Sequence, residues 1–581
     1  MNTKRFIAAS LAAIMAVTTL SACNQSAVSG KAAEVAKRDK DYNLDTPLVV
    51  AYEEFSGKFS PFFAETLYDQ TAVDMTQVSI VTTDRVGDIV FNAIEGETRA
   101  YNGADYFYNG PANIKMVYDE AADITTYNFK LRNDLTFSDG EKLTIDDLIF
   151  TYYVFLDPSY DGNAVLYSEN IKGLTSYRLK VSEDVIDRMT PVFGKIWEAG
   201  MGYTGPFADF TKEQYDLVYG ELVDQQWKTE VQKIVSYVKG NLAGYVEDLG
   251  GTSADLESEG WQVALGMYAW GFGEPGENGG ITANGKTYDL KTTFPTIDDY
   301  VDATKAAYED DFAAFADVEL VDGAEGVDGV KNLFIKSQQD ASVDESAFNH
   351  ISGIERINDY EMTITINGFS ATAIYRMAGS IAPLHYYGDK SLYDYENGKF
   401  GFPFGDLSSV HARDGQPLGA GPYTFNRYEN KVIYYDANEK FFNGAPYIKN
   451  LQFKETTEDE KIQAIDTGSA DIAEPQFSKL AAEEISKLNP NGELTGEKIT
   501  FTSVADLGYS YIGINADKVR VGSDSASEAS RNLRKAIGTI ISVYRETVAD
   551  SYFGPAAIVI NYPISLTSWA APQKTDDGYR V

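Results

Sequence analysis

Chemically reactive side chains are scarce in this sequence of 581 residues, which contains one cysteine, Cys23, and three histidines. A single cysteine excludes any disulfide within the chain. The histidines, His350, His385 and His411, are far apart, and no HExxH, GxSxG or Walker motif is present. The sequence therefore predicts no catalytic residues, no metal site and no cofactor, although groups distant in sequence could still meet in space.

Basic residues are also in short supply. Lys and Arg number 49 against 87 Asp and Glu, which gives a formal net charge of −38. A surface this acidic repels phosphate backbones and argues against docking onto anionic lipid through protein charge. Nucleic acid is therefore disfavoured as a partner, and the simplest interpretation of the charge is solubility. Pairs of carboxylates are weak evidence for the acid and base of a glycoside hydrolase, because so many acidic residues form pairs by chance.

One phosphate-loop pattern is present, but its surroundings do not suit a phosphate. Gly271 to Gly276 matches G-x-G-x-x-G. Phosphate binding needs free backbone N–H groups at the start of a helix. Here Glu274 and Glu277 add negative charge, Pro275 removes a donor, and further glycines follow. We predict a plain loop.

The N-terminus has the pattern of a secretory signal. A basic start, an apolar run over residues 6–20 and small residues before Cys23 are typical of such signals. The ending Leu-Ser-Ala-Cys resembles a bacterial lipobox, and this resemblance implies cleavage before Cys23 and a lipid on its thiol. The alternative is an ordinary signal with a chance cysteine. Residues 23–45 are small and polar, which predicts a flexible tether outside the cytoplasm.

The first predicted strand leads into an aromatic loop. Leu48–Tyr52 has the composition of a buried strand. The loop after it contains four phenylalanines, which we expect to be exposed along a cleft: Phe55, Phe59, Phe62 and Phe63. Residues 84–96 then show apolar positions at helical spacing, which predicts a helix.

Residues 129–158 predict a strand, a tight turn and a capped helix. Tyr127, Phe129 and Leu131 alternate with polar residues, as in a half-buried strand. Thr144 and Asp147 fit a capping pattern at the start of the helix. The helix should end before Pro158, because the residue before a proline disfavours helix. This segment predicts a shape and no reaction.

The rest of the chain alternates between helical and strand-like patterns. Residues 190–349 are mostly helical, with a loop expected over 271–289. Strand patterns return at residues 353–366, 421–438 and 447–456, and helices follow at 458–468 and 527–550. Strands and helices in alternation indicate an α/β protein. A chain this long predicts at least two lobes.

The segment "FSDGEKLTIDDLIFTYYVFLDP", residues 137–158, resembles a signature of family 5 extracellular solute-binding proteins. Further segments resemble that family in the same order: residues 46–63, 351–366, 381–387, 417–428, 438–454, 465–472, 508–515 and 531–537. The resemblance implies an α/β, periplasmic-binding-protein-like (type II) fold of two lobes. Residues 508–515 would form a hinge strand.

The resemblance also predicts how the chain divides. We expect a signal at 1–22, a tether at 23–45, a first lobe at 46–189 and 350–515, and a helical insertion at 190–349. Residues 516–581 would be the start of a second lobe, most of which family members carry beyond this point. The second lobe is therefore expected to be truncated.

The function implied by the resemblance is capture of oligopeptides for an ABC importer by a monomeric, lipid-anchored protein. The partners would be a peptide, the permease with its ATPase, and the membrane through the lipid alone. The residues expected to contact ligand, each with packing or turn formation as its alternative role, are Phe55, Ser56, Gly57, Lys58, Phe59, Ser60, Tyr509 and Tyr511. Alternatives are another solute (nickel chelate, haem or oligosaccharide) or a surface interaction lipoprotein, with an enzyme least favoured.

Overall fold

The computed structural model describes residues 46–101, 103–276, 279–321, 323–503, 508–572 and 576. The chain divides into two compact units. Unit 1 includes the described residues up to Asn170, Ile354–Tyr395, and those from Lys399 onward, whereas unit 2 comprises Ile171–Gly353 and Glu396–Gly398. The predicted signal, Cys23 and the tether lie outside the described residues.

A mixed five-stranded sheet forms one part of unit 1. Its strands, in sheet order, are β13 (Tyr423–Glu429), β14 (Val432–Ala437), β15 (Asn450–Glu455), β1 (Leu48–Tyr52) and β16 (Ile472–Ala473). The strand predicted at Leu48–Tyr52 is confirmed, and it runs parallel to both of its neighbours. The carboxyl end of β1 therefore opens directly into the aromatic loop.

A second sheet of unit 1 has four antiparallel strands. They are, in sheet order, β4 (Ala112–Asp119), β5 (Ile124–Leu131), β10 (Glu361–Asn367) and β9 (Ile354–Asn358). The predicted alternation in β5 is confirmed, because Tyr127, Phe129 and Leu131 are buried. Two short pairs complete the strands of unit 1: β2 (Glu97–Tyr101) with β3 (Ala104–Tyr108), and β11 (Tyr393–Asp394) with β12 (Lys399–Phe400).

The helices of unit 1 differ widely in burial. They are α1 (Leu67–Asp74), α2 (Ile145–Leu156), α11 (Ala373–Arg376), α12 (Leu384–Tyr387), α13 (Ser408–His411), α14 (Glu458–Thr467), α15 (Lys479–Leu488) and α16 (Glu528–Tyr552). Short 3-10 turns occur at Leu166–Ser168, Lys390–Leu392 and Gly554–Ala556, and a further turn, Tyr395–Asn397, begins in unit 1 and ends in unit 2. None of the described helices is long and apolar enough to cross a membrane.

The capped helix is confirmed as α2, and its cap uses a buried carboxylate. The Asp147 Oδ2 atom accepts from the Thr144 backbone N–H at 2.9 Å and from the Thr144 hydroxyl at 3.3 Å. The Asp147 Oδ1 atom accepts from the Leu384 N–H at 3.0 Å. All residues of α2 except Asp146 are buried, so the helix forms part of the core of unit 1.

The helix predicted over residues 84–96 is wrong, because this segment consists of turns and isolated bridges. The Asp84 Oδ1 atom accepts from the N–H groups of Val86 and Asp88, both at 3.0 Å, and Gly87 has φ +85°. An aspartate that binds nearby backbone in this way competes with helix formation. Of the apolar residues that suggested a helix, Ile89 and Val90 are buried and Val86 and Ile94 are half-buried, all as parts of a folded loop.

Unit 2 is largely helical. Its α-helices are α3 (Leu174–Leu179), α4 (Glu183–Ala199), α5 (Lys212–Leu217), α6 (Val223–Asn241), α7 (Glu259–Ala269), α8 (Ile297–Ala307), α9 (Phe312–Glu319) and α10 (Gly326–Ser337). A π-turn lies at Val218–Leu222, and 3-10 turns lie at Ala243–Leu249, Ser253–Glu257 and Glu345–Phe348. One hydrophobic cluster runs from Val181 to Ile335 and forms the core of this unit.

The glycine-rich segment of unit 2 contains strands that were not predicted. Three short antiparallel strands, β6 (Glu274–Pro275), β7 (Ile281–Ala283) and β8 (Lys286–Tyr288), lie within residues 271–289. Gly271 to Gly276 leads from α7 into β6 and opens no helix. This arrangement lacks the helix N-terminus that phosphate binding requires.

The hinge strand expected at residues 508–515 is also wrong, since these residues belong to no strand. The helix expected from residues 531–537 is confirmed as the first part of α16. Backbone pairing with a sheet is thus missing at the position where Tyr509 and Tyr511 were expected to face a ligand.

Candidate ligand-binding site

The aromatic loop after β1 is folded back onto the protein. Phe55, Phe59, Phe62 and Phe63 are all buried, with exposures of 7%, 1%, 3% and 4%. The expectation of exposed rings is therefore wrong. Phe55 and Phe59 join the cluster formed by residues of β13, β14, β15 and α1, because covering one face of the sheet removes more apolar area from water than lining an open surface.

The tip of this loop consists of Ser56 and Lys58, which are exposed, and Gly57 between them, which is half-buried. Asp69 holds the tip in place from a fully buried position in α1. Its carboxylate accepts from the Ser56 N–H at 3.2 Å, the Ser56 hydroxyl at 2.8 Å and the Gly57 N–H at 3.2 Å. It also accepts from the Thr66 hydroxyl. Gly57 has φ +86°, a conformation that side-chain-bearing residues rarely adopt.

Sequence reasoning missed Asp69, although a signal for it exists. Thr66 is the N-cap of α1 and accepts from the Asp69 N–H at 3.0 Å. The spacing Thr66-x-x-Asp69 is the same capping pattern that identified α2. The contact with Ser56, thirteen residues earlier, could not be read from that pattern.

Two further candidates from this loop have partners of their own. Lys58 forms an exposed ion pair with Glu65. Ser60 is fully buried, and its hydroxyl accepts from the Phe62 N–H at 3.3 Å. In this conformation Phe55, Phe59 and Ser60 support the loop from beneath, whereas Ser56, Gly57 and Lys58 face solvent.

A buried lysine lies beside the end of β1. The Lys461 ammonium group pairs with Glu53, with Glu458 at 2.9 Å and with the Glu474 carbonyl at 3.0 Å. Burial lowers the pKa of Lys461, but its bonds to Glu53 and Glu458 outweigh burial and raise that pKa above the ordinary lysine value. The charge is therefore permanent near neutral pH, which suits a structural clamp better than proton transfer.

A second clamp lies at the end of β15. The Glu455 carboxylate accepts from Tyr428, pairs with Lys431 at 3.0 Å and contacts the Phe55 N–H at 3.5 Å. Burial raises the pKa of Glu455, and the bonds from Tyr428 and Lys431 outweigh that effect, so the pKa lies below its ordinary value. Both clamps hold the base of the loop with ionised groups.

The two tyrosine candidates lie in a different place. Tyr509 and Tyr511 are 46% and 81% exposed, with ring centroids 6.2 Å apart. Tyr509 lines a shallow groove of about 310 Å³ together with Val86, Gly87, Tyr375, Ile564, Ser565, Ser568, Trp569 and Ala570. None of residues 55–60 lines this groove, so the loop and the tyrosines do not share it.

The histidines occupy separate surroundings. His385 lies edge-on to Phe137, with ring centroids 5.5 Å apart, and its Nε2 atom is 2.6 Å from Asp139 Oδ2. His411 stacks on Phe63 at 3.7 Å and contacts Asp161 and Asp414. Within the part of the chain that the structure describes, no group of three or more His, Cys, Asp or Glu side chains could hold a metal ion.

The five-stranded sheet of unit 1 carries the loop, Asp69 holds its tip, and the charges beside it are held in fixed pairs. The family model described as bacterial extracellular solute-binding proteins, family 5 Middle, matches residues 111–191 and 296–581. These segments cover well over half of the sequence, so the chain belongs to this family of solute-binding proteins. This confirms the resemblance and the periplasmic-binding-protein-like (type II) fold class, whereas the truncation of the second lobe stays a prediction. Residues 192–295, between the two segments, lie within unit 2.

Individual relatives are more distant. The oligopeptide-binding protein AppA of Bacillus subtilis is 24% identical over 246 residues, which make up 40% of this chain and 38% of AppA. The chain thus spans about two fifths of the length of this curated relative.

Similar solved structures include B. subtilis AppA with a nonapeptide (12% identity, TM-score 0.32, covering 73% of this chain and 43% of that one). Lactococcal OppA in its closed, peptide-bound form has 12% identity and a TM-score of 0.34 over 74% and 46%. Campylobacter jejuni NikZ with Ni(L-His) has 10% identity and a TM-score of 0.31 over 75% and 44%. TM-scores this low add no argument about the fold, which rests on the family model.

Proposed function

We propose that this protein is the substrate-binding component of a peptide ABC importer, which captures oligopeptides outside the cytoplasm and delivers them to a permease. Membership of the solute-binding family is the observation that carries this proposal. The matched relative is an oligopeptide-binding protein, and no bond is made or broken in this role.

Ligand contact would involve the exposed loop tip, Ser56 to Lys58, and the tyrosines Tyr509 and Tyr511. The N–H groups of Ser56 and Gly57 are bound to Asp69, so the loop tip would offer its carbonyl oxygens and the exposed side chains of Ser56 and Lys58 to an extended peptide. Phe55, Phe59 and Ser60 would preserve the shape of the loop from beneath. Tyr509 would supply an apolar surface for a side chain, in the groove that it lines with Trp569.

Anchoring would occur through a lipid on Cys23, with residues 23–45 as the tether. The intact mass of the protein isolated from its own cells tests this part. The expected mass is that of a chain that begins at Cys23 and carries a lipid, and Cys23→Ser should release the protein from the membrane. A protein that keeps its signal, together with a Cys23→Ser variant that stays on the membrane, would contradict the anchor.

The binding site is tested with two glycine variants that impose the same backbone strain. Gly57 and Gly444 have φ +86° and +87°, and a Cβ added at either would meet no atom within 4 Å. Gly57→Val should distort the loop and weaken binding of mixed tri- to nonapeptides at least about ten-fold by calorimetry. Gly444→Val should leave the affinity unchanged.

Other ligand classes are separate outcomes of the same assay. Tight binding of a nickel chelate, haem or an oligosaccharide, with no peptide binding, would replace the peptide proposal within the same family. Failure to bind any of these, together with tight binding to a protein partner, would favour a surface interaction lipoprotein.

A further inference from the structure

The strand β4 pairs with β5 along one side, whereas backbone contacts on its other side are confined to the start of the strand. At its start, the Ile114 N–H donates to the Phe91 carbonyl at 2.9 Å, and Asn113 bridges to Asn92. From Lys115 to Asp119, no strand of the described chain pairs with that side. β4 is therefore an edge strand with a free edge of five residues, 115–119.

The side chains along this free edge are unusually apolar for an exposed position. Met116, Val117 and Tyr118 are 41%, 50% and 38% exposed. The neighbouring Phe369 is 55% exposed, and its ring centroid lies 5.5 Å from that of Tyr118. Proteins usually protect such edges with charges, prolines or bulges, because a free apolar edge is a template for another strand.

The backbone groups that face outward can be identified from the pairing. β4 is antiparallel to β5, so successive residues present their N–H and C=O groups alternately toward β5 and away from it. The Ile114 N–H points away from β5, since it bonds to Phe91. Met116 and Tyr118 therefore also point their N–H and C=O groups outward.

We propose that this edge pairs with the same edge of a second copy of the chain, antiparallel about a two-fold axis at Val117. Met116 of each copy then lies opposite Tyr118 of the other, and these outward-facing residues exchange four backbone hydrogen bonds. Val117 meets Val117 across the axis. Lys115 lies opposite Asp119 of the second copy, twice, so the charges at both ends are complementary.

Both ends of the segment match this register. Pairing stops before Ile114 because Phe91 already occupies that position. It stops after Asp119 because the chain turns there, with the Asp119 Oδ1 atom accepting from the N–H groups of Ala121 and Ala122 at 3.0 and 3.1 Å. A two-fold axis at Val117 uses all five free residues and no others.

The dimer inferred here differs from the monomer expected from the sequence, and it is weak. Five paired residues bury far less than the roughly 1,200–2,000 Å² of stable interfaces. Association should therefore depend on concentration, over a range on the order of 10 to several hundred micromolar. It does not depend on which ligand the protein binds.

Sedimentation equilibrium of the full chain, carrying Cys23→Ser to prevent lipid attachment, tests the proposal. Val117→Lys and Val117→Glu each place like charges on the axis and should raise the dimer dissociation constant at least about ten-fold. An equimolar mixture of the two variants should associate again, because the introduced lysine of one copy faces the introduced glutamate of the other. This recovery is specific to a two-fold axis at position 117.

The control lies on the opposite edge of the same sheet. Ile357 in β9 is 51% exposed, against 50% for Val117, so Ile357→Lys adds an equal charge at a matched position and should leave the dimer intact. A wild-type chain that stays monomeric throughout this range overturns the proposal. A dimer that survives Val117→Lys, or that Ile357→Lys weakens equally, overturns it as well.

Discussion

Two long amphipathic helices of this protein have opposite surroundings. In α6 of unit 2, eight residues are buried, among them Trp227, Glu230 and Ile234. In α16 of unit 1, which is six residues longer, Ser530 alone among the described side chains is buried. The apolar residues of α16, including Ile540, Val543 and Tyr544, are 60–63% exposed.

The difference shows that helical periodicity identifies an apolar face without showing what covers it. Helix α6 is stabilised by the hydrophobic cluster of unit 2, where burial contributes about 25 cal/mol per Å² of apolar area. Helix α16 depends on local interactions, such as the Ser527 side chain, which caps it by accepting from the Ser530 N–H at 3.1 Å. Packing, rather than propensity, supplies most helix stability in proteins, so substitutions in the two helices should differ greatly in cost.

The largest effect is expected for Trp227→Ala in α6. The Trp227 ring is fully buried, stacks on Phe315 at 5.0 Å and donates to the Thr304 hydroxyl at 2.9 Å. Its loss should lower the free energy of unfolding of unit 2 by about 3–5 kcal/mol. Urea denaturation followed by tryptophan fluorescence suits this test, because four of the five tryptophans lie in unit 2.

A control within the same unit is Tyr245→Ala, where the ring is 51% exposed. It should cost less than about 1 kcal/mol. Equal costs for the two substitutions would mean that burial does not account for the contrast between the two helices.

The next largest effect is expected in α2, where the buried side chain is the carboxyl group of Asp147. Burial raises the pKa of Asp147 from 3.8 to about 6, against the opposing bonds from Thr144 and Leu384. The folded protein therefore favours the protonated acid. Relative to the unfolded chain, the raised pKa of Asp147 stabilises the fold fully below about pH 4. This stabilisation is lost as the pH rises through 6, which changes the free energy of unfolding by about 3 kcal/mol.

Chemical denaturation of the wild type and of Asp147→Asn between pH 4 and 7 measures this contribution. The stability of the wild type relative to the variant should fall by the stated amount over that interval. Asp328→Asn, at a position where the side chain is 75% exposed, serves as the control. A relative stability that stays constant or rises with pH would contradict the assignment.

A moderate effect is expected at the single buried residue of α16. The Ser530 hydroxyl accepts from the Val521 N–H at 2.9 Å and donates to the Asp524 carbonyl at 2.6 Å. Ser530→Ala should cost about 1–2 kcal/mol locally, because it leaves these groups unpaired. Hydrogen exchange of amides near the start of α16 should speed up accordingly, whereas exposed Ser542→Ala should have no such effect. Unchanged exchange would show that this contact does not hold the helix.

The smallest effect is expected for Ile540→Ser, because this side chain is 60% exposed. Its cost should stay below about 0.5 kcal/mol. Ile234→Ser in α6, where the side chain is fully buried, should cost several times more in the same denaturation experiment. A cost above about 1 kcal/mol at Ile540 would show that its face is covered in solution.

The glycines of the segment 417–428 are part of the family resemblance, but the sequence does not show why glycine is required at these positions. A Cβ on Gly419 would lie 2.3 Å from the Thr76 carbonyl oxygen, and one on Gly421 would lie 2.3 Å from the Thr76 carbonyl carbon. Gly421 also donates to Thr76 at 2.8 Å. The need for glycine therefore comes from a backbone more than 340 residues away in sequence, which no local pattern reveals.

The sequence by itself determined the features that depend on neighbouring residues. The family signature, the Thr144 and Asp147 cap of α2, the alternation in β5 and the helical character of α16 all follow from local spacing, because helices and strands repeat at fixed periods.

Only the tertiary structure decided which apolar residues are covered. The phenylalanines after β1 were expected to be exposed and are buried, whereas apolar residues of α16 such as Ile540, Val543 and Tyr544 are exposed. The Asp69 carboxylate holds the loop tip, and Tyr435 bonds to the Ala72 carbonyl across 363 residues. Burial depends on contacts between segments that are distant along the chain, so it is a property of the assembled fold.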